Sequence, residues 1–135
     1  MMELITSNIC MTFDLGINGN LFGGKMMCFI DEAAAIYVAT KLKSRHVVTK
    51  VFNQVEFINP VKEGDIIKIY GEITNVGNSS VTIALEAHRI CVTLGTMSLV
   101  CKTSAVFVNV DANGHKLNIS EDIKKDIINS DTSLK

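Results

Sequence analysis

The sequence has no excess of charge of one sign. Its 135 residues include 13 Lys and Arg and 14 Asp and Glu, which gives a formal net charge of -1. The two signs are interspersed, so the chain has neither the basic surface that binds nucleic acid nor the polybasic surface that binds anionic membranes. We therefore expect no nucleic acid and no membrane among its partners.

Long apolar runs are also missing. The most apolar segment is interrupted by Lys25, Asp31, Glu32 and Lys41, and nothing approaches the roughly 18 to 20 apolar residues that a membrane span requires. The first residues, MMELITSNIC, do not join a basic stretch to an apolar one, so no signal peptide is predicted. These absences indicate a soluble protein of the cytoplasm.

Metal-binding patterns are missing as well. The four cysteines form no CxxC pair, and the three histidines are scattered along the chain. Three of the cysteines lie in apolar segments, where free cysteine usually behaves as a small buried hydrophobe. We expect no zinc site, and we expect the cysteines to be reduced residues of the core.

What the sequence does contain is one long apolar helix segment followed by strands of period two. A chain of this length can bury a core of its own, so we expect one domain over residues 1–119. Alternating apolar and polar residues predict strands over 48–60, 66–76, 81–92 and 96–111, and a shorter one near 3–13. The order of elements predicts an α+β fold in which the helix packs on one face of an antiparallel sheet. For the tail, 120–135, a helix capped by Ser120 and disorder are both open.

The predicted helix carries a carboxylate where apolar residues dominate. Between positions 22 and 39 the only charged residues are Lys25, Asp31 and Glu32. At about 100° per residue, Asp31 falls in one stripe with core candidates such as Met27 and Ile30, whereas Glu32 points elsewhere. A buried carboxylate is costly unless it is paired or hydrogen-bonded. Asp31 is therefore either held by hydrogen bonds from a neighbouring strand or a basic residue, or it is a base or nucleophile in a dry cleft.

A glycine pair stands ahead of this carboxylate. If the helix starts at Gly23 and Gly24, its first amides are unpaired and carry the positive end of the helix dipole, which suits a developing oxyanion. Asp31 lies seven to eight residues further on, about 11 to 12 Å along a helix. One carbonyl cannot touch both groups of a single chain, so a site that uses both is most simply built from two subunits.

Together these residues resemble a known family. The segments NGNLFGGKMMCFIDEAAA (18–35), HVVT (46–49), VEFINPVKEGD (55–65), VGNSSV (76–81) and TSAVFVNVDANG (103–114) are similar to those of the hotdog-fold acyl-CoA thioesterases. The short bacterial acyl-CoA hydrolases and the cytosolic acyl-CoA hydrolases of animals are the best match. The resemblance covers roughly residues 10 to 118.

The resemblance implies a fold and an activity. The fold is a long central helix wrapped by a curved antiparallel sheet, in dimers that join their sheets edge to edge and often form trimers of dimers. The activity is hydrolysis of the acyl-CoA thioester to free acid and CoA, without a metal or redox cofactor.

The resemblance also implies site residues. The catalytic carboxylate falls on Asp31, which would either activate water or attack the carbonyl itself, and the oxyanion donors fall on Gly23 and Gly24. Other positions are expected to bind the substrate: Asn18, Gly19, Asn20, Phe22, Thr103 and Ser104 near the acyl group and catalytic centre, and Arg45, Gly77, Ser79 and Ser80 near CoA.

The sequence departs from the family at two positions. Gly16 stands where many relatives have an Asn that helps to polarise the thioester or orient water, so Asn18 and Asn20 are candidates to replace it. His46 stands where relatives tend to have Arg. Two alternatives stay open: a non-catalytic regulator that binds acyl-CoA on the same fold, and a structural subunit whose site has decayed. A hotdog dehydratase needs a His that the helix lacks, and a triad hydrolase lacks its GxSxG elbow.

Overall fold

The computed structural model describes residues 1–130. Within them the fold consists of one five-stranded sheet and two α-helices. Strand β1 (Glu3–Ile9) and a 3-10 turn (Thr12–Asp14) precede the long helix α1 (Gly23–Leu42). Strands β2 (Val47–Phe57), β3 (Ile66–Val76), β4 (Ser80–Cys91) and β5 (Thr96–Asn109) follow, and helix α2 (Glu121–Ser130) comes last.

The sheet is antiparallel throughout, in the order β1-β3-β4-β5-β2. Helix α1 packs against all five strands, so the α+β fold predicted from the alternation is confirmed. The bounds predicted for β3 are correct, whereas β2 ends at Phe57, ahead of Pro60, and not at the proline itself. Among the described strands β2 pairs with β5 alone, so it is one edge of the sheet.

The core lies between α1 and the sheet. In β4 the alternate residues Val81, Ile83, Leu85 and Ala87 are at most 1% exposed, as the period of two predicts. Full burial of an aliphatic side chain of this size contributes about 1.5 to 3 kcal/mol. Helix α1 packs on this face of the sheet.

The buried stripe of α1 differs slightly from the predicted one. It consists of Met26, Ile30, Ala33, Ala34, Val38 and Leu42. Met27 is only partly buried, although it packs against the core cluster. Ala33 and Ala34 are fully buried in the core, so these small residues bring the helix close to the sheet.

The tail helix docks on the same core. The Ser120 hydroxyl accepts a hydrogen bond from the Ile123 amide at 3.3 Å, as expected of an N-cap. Ile127 is 4% exposed and belongs to the core cluster. Of the two alternatives for the tail, residues 121–130 form the helix, and positions 131–135 lie outside the described residues.

The cysteines only partly follow the prediction. All four are free thiols, and Cys10 and Cys101 are buried in the core, but Cys28 is exposed and Cys91 is partly exposed. Cys28 lies on the exposed side of α1, and Cys91 is the last residue of β4. Within residues 1–130, no helix is both long and apolar enough to cross a membrane.

Candidate active site

Helix α1 begins with two free backbone donors. Its N-cap is Phe22, which supplies no side-chain cap. The Phe22 carbonyl accepts hydrogen bonds from the amides of Lys25 (2.9 Å) and Met26 (3.0 Å). The amides of Gly23 and Gly24 donate to no acceptor within residues 1–130. Because this helix end is uncapped, two N–H groups at the positive end of the dipole are available to an anionic oxygen.

Two aromatic rings flank the glycine pair. A Cβ atom on Gly24 would lie 2.7 Å from Phe22 Cε1, which is closer than real side chains approach, whereas one on Gly23 would lie 3.5 Å from Phe57 Cζ. Glycine at position 24 is therefore what allows the Phe22 ring to rest against the helix start. Both rings are more than half exposed, Phe22 at 60% and Phe57 at 57%, so they border the donors without covering them.

The loop before the helix is a tight turn. The Gly16 amide donates to the Asn20 carbonyl (2.7 Å), and the Gly19 amide donates to the Gly16 carbonyl (3.0 Å). Gly19 has a φ of +82°, a left-handed conformation that favours glycine. The Asn18 side-chain oxygen accepts from the Asn20 amide at 3.1 Å. The structure thus brings the predicted residues Asn18, Gly19 and Asn20 together next to the helix start.

A buried carboxylate anchors this loop. Asp14 is 3% exposed, and its Oδ2 accepts a hydrogen bond from the Met11 amide at 2.9 Å. Its Oδ1 lies 3.5 Å from Lys25 Nζ, in the first turn of α1. The Asp14 carbonyl accepts from the Phe22 amide at 3.0 Å. Asp14 therefore joins the loop to the helix start through both its side chain and its backbone.

Asp31 does not point into the core as the stripe predicts. It is only partly buried, and its side chain reaches towards strand β2. Its Oδ1 accepts a hydrogen bond from the Thr49 hydroxyl of β2 at 2.7 Å. The expectation of a hydrogen bond from a neighbouring strand is thus met, while Oδ2 accepts none within residues 1–130. Asp31 stands beside the free edge of the sheet, and its neighbour Glu32 is exposed.

The residues predicted near CoA gather at the far end of α1. The His46 carbonyl, next to Arg45, accepts from the Val110 amide at 2.9 Å, and the Ser79 carbonyl accepts from the Asn109 amide at 2.7 Å. These bonds place Arg45 and the turn with Gly77, Ser79 and Ser80 at the same end of the sheet. Arg45 is exposed. Since α1 has 20 residues, this end is about 30 Å from Gly23 in the same chain.

Thr103 and Ser104 lie apart from both groups. The Thr103 hydroxyl donates to the Asn53 carbonyl at 2.8 Å, and Ser104 is paired with Asn53 across β2 and β5. Both line a 290 Å³ recess, shared with Glu86 and Lys102, that includes neither Asp31 nor the helix start. Within one chain the structure does not bring them to the catalytic centre, and their role stays a prediction.

Two recesses meet at the helix start. The first, which we call the Val61 recess, has a volume of 340 Å³ and lies between the helix start and the segment after β2; it is lined by Asn18, Asn20, Leu21, Gly23, Met26, Phe57, Ile58, Asn59, Pro60, Val61 and Val100. The second, the Ile17 recess, has a volume of 710 Å³ and is lined by Leu15, Gly16, Ile17, Asn18, Leu21, Phe22 and Gly23. Gly23, one of the two free donors, lines both.

The sequence profile of the thioesterase superfamily matches residues 18–96, more than half of the chain. The chain belongs to the thioesterase superfamily. A protein of Haemophilus influenzae described as an uncharacterised acyl-CoA thioester hydrolase is 32% identical over 127 residues, which cover 92% of this chain and 82% of the relative.

Solved structures agree with this assignment. An Asp-to-Ala mutant of a hexameric broad-specificity acyl-coenzyme A thioesterase superposes with a TM-score of 0.91 at 28% identity, covering 98% of this chain and 96% of that one. A hexameric hotdog-fold thioesterase of Campylobacter jejuni superposes with a TM-score of 0.82 at 34% identity, covering 93% and 96%. The resemblance drawn from the sequence motifs and the hotdog fold it implies are both confirmed.

Sequence reasoning missed several residues of this candidate site. Thr49, the partner of Asp31, lies within the HVVT segment, but its role requires knowing that β2 runs beside the middle of α1. Asp14 lies in a segment without hydrophobic periodicity, so nothing in the sequence pattern predicts that it is buried. Phe57 and Val61 lie in a quoted motif, VEFINPVKEGD, and only the packing of this segment against Gly23 and Met26 gives them a place in the site.

Proposed function

We propose that this thioesterase hydrolyses acyl-CoA to a free carboxylic acid and CoA. The observation that carries the proposal is the pairing of two uncapped amides, on Gly23 and Gly24, with a carboxylate, Asp31, on the same helix. Thioester hydrolysis requires donors for an oxyanion and a group that delivers water or attacks the carbonyl. The relatives named as acyl-CoA thioester hydrolases support the choice of substrate.

The helix-start amides are the proposed oxyanion hole. They would donate to the thioester oxygen as it gains negative charge, an effect worth roughly 3 kcal/mol for each well-placed donor. The absence of a side-chain cap favours this role, because a cap would occupy one of these donors. The flanking Phe22 and Phe57 rings would provide apolar surface beside the thioester.

Asp31 is the proposed general base or nucleophile. The Thr49 hydrogen bond at 2.7 Å engages Oδ1, which fixes the orientation of the carboxylate and leaves Oδ2 for water or for the carbonyl carbon. The departing group is a thiolate, and a thiol has an ordinary pKa of about 8.5. CoA therefore leaves without a strong general acid, and the lack of a histidine on α1 is no obstacle.

We place the complete site between two subunits. Within one chain Asp31 and the glycine amides are about 11 to 12 Å apart along the helix, too far to act on one carbonyl. Strand β2, which carries Thr49, is an unpaired edge with Val48 47% and Val51 40% exposed, and such edges pair readily with another strand. The hexameric state of solved relatives supports a homodimer that assembles into a trimer of dimers.

The same arrangement gives the CoA residues a role. Arg45 and the turn with Gly77, Ser79 and Ser80 are about 30 Å from their own helix start, so they would reach the CoA moiety held by another copy. An Arg guanidinium suits CoA phosphates. A location in the cytoplasm and independence from any cofactor stay predictions of this proposal.

The experiment is a complementation assay. CoA release is measured by thiol titration with acetyl- to palmitoyl-CoA for wild type, Asp31→Ala and Gly24→Val, where the added side chain intrudes between the helix start and Phe22. We expect each variant alone to be inactive. Their equimolar mixture, after subunit exchange, should recover about one quarter of wild-type turnover, because one of the two sites in each mixed two-fold dimer is intact.

Two results would contradict the proposal. Mixing that restores nothing, although mass spectrometry detects mixed dimers, would place both groups in a single-chain site or outside the site. A wild type that binds acyl-CoA without releasing CoA would favour the non-catalytic regulator. Gly16→Asn is the variant to examine in that case, because it restores the family residue.

A further inference from the structure

This inference rests on the proposed function and concerns the substrate's acyl group. If the Gly23 amide binds the thioester oxygen, the acyl chain must begin next to Gly23, because it is bonded to the same carbonyl carbon. Both recesses at the helix start satisfy this condition. The question is which of them receives the chain.

The Val61 recess has a floor of buried apolar residues. Met26, Val61 and Val100 form it and are 4%, 3% and 1% exposed. In contrast, no residue that lines the Ile17 recess is buried, and Ile17 itself is fully exposed. An apolar chain gains more as more of its surface contacts buried apolar side chains, and only the Val61 recess offers such residues, so we take it as the better site.

Two polar side chains at the rim of the Val61 recess are hydrogen-bonded to other parts of the protein. Asn59 donates to the Leu99 carbonyl at 2.7 Å, and the Asn20 side-chain oxygen accepts from Lys62 Nζ at 3.2 Å. No charged residue within the described part of the chain lines the recess. It is therefore unsuited to the phosphates of CoA and suited to an uncharged chain.

The walls of this recess are held by backbone hydrogen bonds. The Leu21 amide donates to the Val61 carbonyl at 2.8 Å, and the Ile58 amide donates to the Val100 carbonyl at 2.7 Å. On the outer side, the Arg89 guanidinium donates to the Pro60 carbonyl. The segment 58–61 is thus tied to the loop before α1 and to β5, so the recess exists before any ligand enters it.

We propose that the Val61 recess binds the acyl chain and that its floor sets the longest chain the enzyme accepts. If each carbon group takes up about as much space as a water molecule, about 30 Å³, the 340 Å³ recess holds roughly ten of them. The preferred substrates are then medium-chain acyl-CoA thioesters, with both shorter and longer chains hydrolysed less efficiently.

The test compares kcat/KM across even-numbered acyl-CoA thioesters for wild type, Val61→Ala, Val61→Phe and the control Ile17→Ala. One methylene in an apolar pocket changes kcat/KM by roughly tenfold or more. We compare the substrate that wild type prefers with the next longer one. Val61→Ala should raise kcat/KM for the longer substrate, relative to kcat/KM for the preferred one, by roughly tenfold. Val61→Phe should move the optimum to shorter chains, and Ile17→Ala should leave the order of preference unchanged.

The outcomes separate this inference from the proposed function. Turnover with a chain-length profile that neither Val61 variant moves, or that Ile17→Ala moves instead, would overturn the inference alone. A wild type that releases no CoA from any thioester would overturn the proposed function and the inference with it. Should Val61→Phe fail to assemble, Met26→Ala, a second change in the floor, replaces it and must extend the accepted chain length.

Discussion

Asp14 is a buried carboxylate, and its contacts allow a direct estimate of the free energy of unfolding that is lost when it is removed. Its side chain is 2% exposed, and Oδ2 accepts a 2.9 Å hydrogen bond from the Met11 amide. A hydrogen bond to a charged group contributes about 1.5 to 3 kcal/mol. The Lys25 side chain, 3.5 Å from Oδ1, is 40% exposed. Its ammonium group can turn to water, so Asp14→Ala leaves no buried charge without a partner. We expect a loss of about 2 kcal/mol in the free energy of unfolding, less than the roughly 3 to 5 kcal/mol for breaking a fully buried ion pair.

The chain contains a matched control for this prediction. Asp65 Oδ2 also accepts a 2.9 Å hydrogen bond from the amide three residues earlier, that of Lys62, but in an exposed turn. We expect Asp65→Ala to lose about 1 kcal/mol or less. Urea denaturation at one fixed protein concentration measures both, because assembly makes stability concentration-dependent. If Asp14→Ala shifts the midpoint no more than Asp65→Ala does, burial is not what makes this carboxylate important.

Other consequences follow from packing and from thiol chemistry. At Gly71 of β3 an added Cβ would lie 2.8 Å from Ile5 Cδ1 and 3.2 Å from two further side chains, so Gly71→Ala should cost about 1 to 3 kcal/mol by overpacking; a urea midpoint equal to wild type would disprove this. The pKa of Cys91 is lowered by a hydrogen bond with Thr93, whereas burial raises the pKa of Cys101 to about 11. Since the thiolate is the reactive form, Cys91 should react with a disulfide reagent in the native protein at a lower pH than an ordinary thiol does, and Cys101 only after unfolding. Mass spectrometry of the labelled peptides distinguishes them, and early modification of Cys101 would contradict the packing described.

The parts of the fold that depend on local pattern could be predicted from the sequence. The alternation over 66–76 located β3 to the residue, and the alternate burial of β4 follows from the same period. The start of α1 at Gly23 could also be predicted, because a glycine pair before an apolar segment of helical length indicates where the helix and its unpaired first amides begin. In these cases each residue's environment is set by its sequence neighbours.

The parts that depend on contacts between distant residues could not be predicted. The hydrogen bond from Thr49 to Asp31 joins residues 18 positions apart, and it arises only because β2 passes the middle of α1. The alternation in β4 places His88 on the face opposite Leu85 and Ala87 but does not show what its ring contacts. The ring packs edge-on against Tyr70 with centroids 5.3 Å apart, and Nε2 lies 3.1 Å from Glu86 Oε1. Alternation identifies the face of a strand but not the cross-strand partners on it.

The position of the site relative to the sheet edge is a similar case. Helical spacing correctly separated Asp31 from the glycine amides by two turns, but it placed the carboxylate in the core. Asp31 lies instead on the flank beside β2, where Thr49 supports it and the edge strand leaves room for a second copy. This location is what a site shared between subunits requires, and a single helix cannot reveal it.

The central claim is that Asp31 carries out the chemistry, and one comparison tests it most directly. We would measure kcat and KM for CoA release by wild type, Asp31→Asn and Glu32→Gln, after confirming that all three have the same oligomeric state. Asp31→Asn keeps the shape of the side chain and an oxygen for Thr49 but removes the base, so kcat should fall by at least about 100-fold with KM nearly unchanged. Glu32→Gln should resemble wild type. An Asp31→Asn enzyme that retains most of its kcat, or an equal loss in Glu32→Gln, would contradict the account.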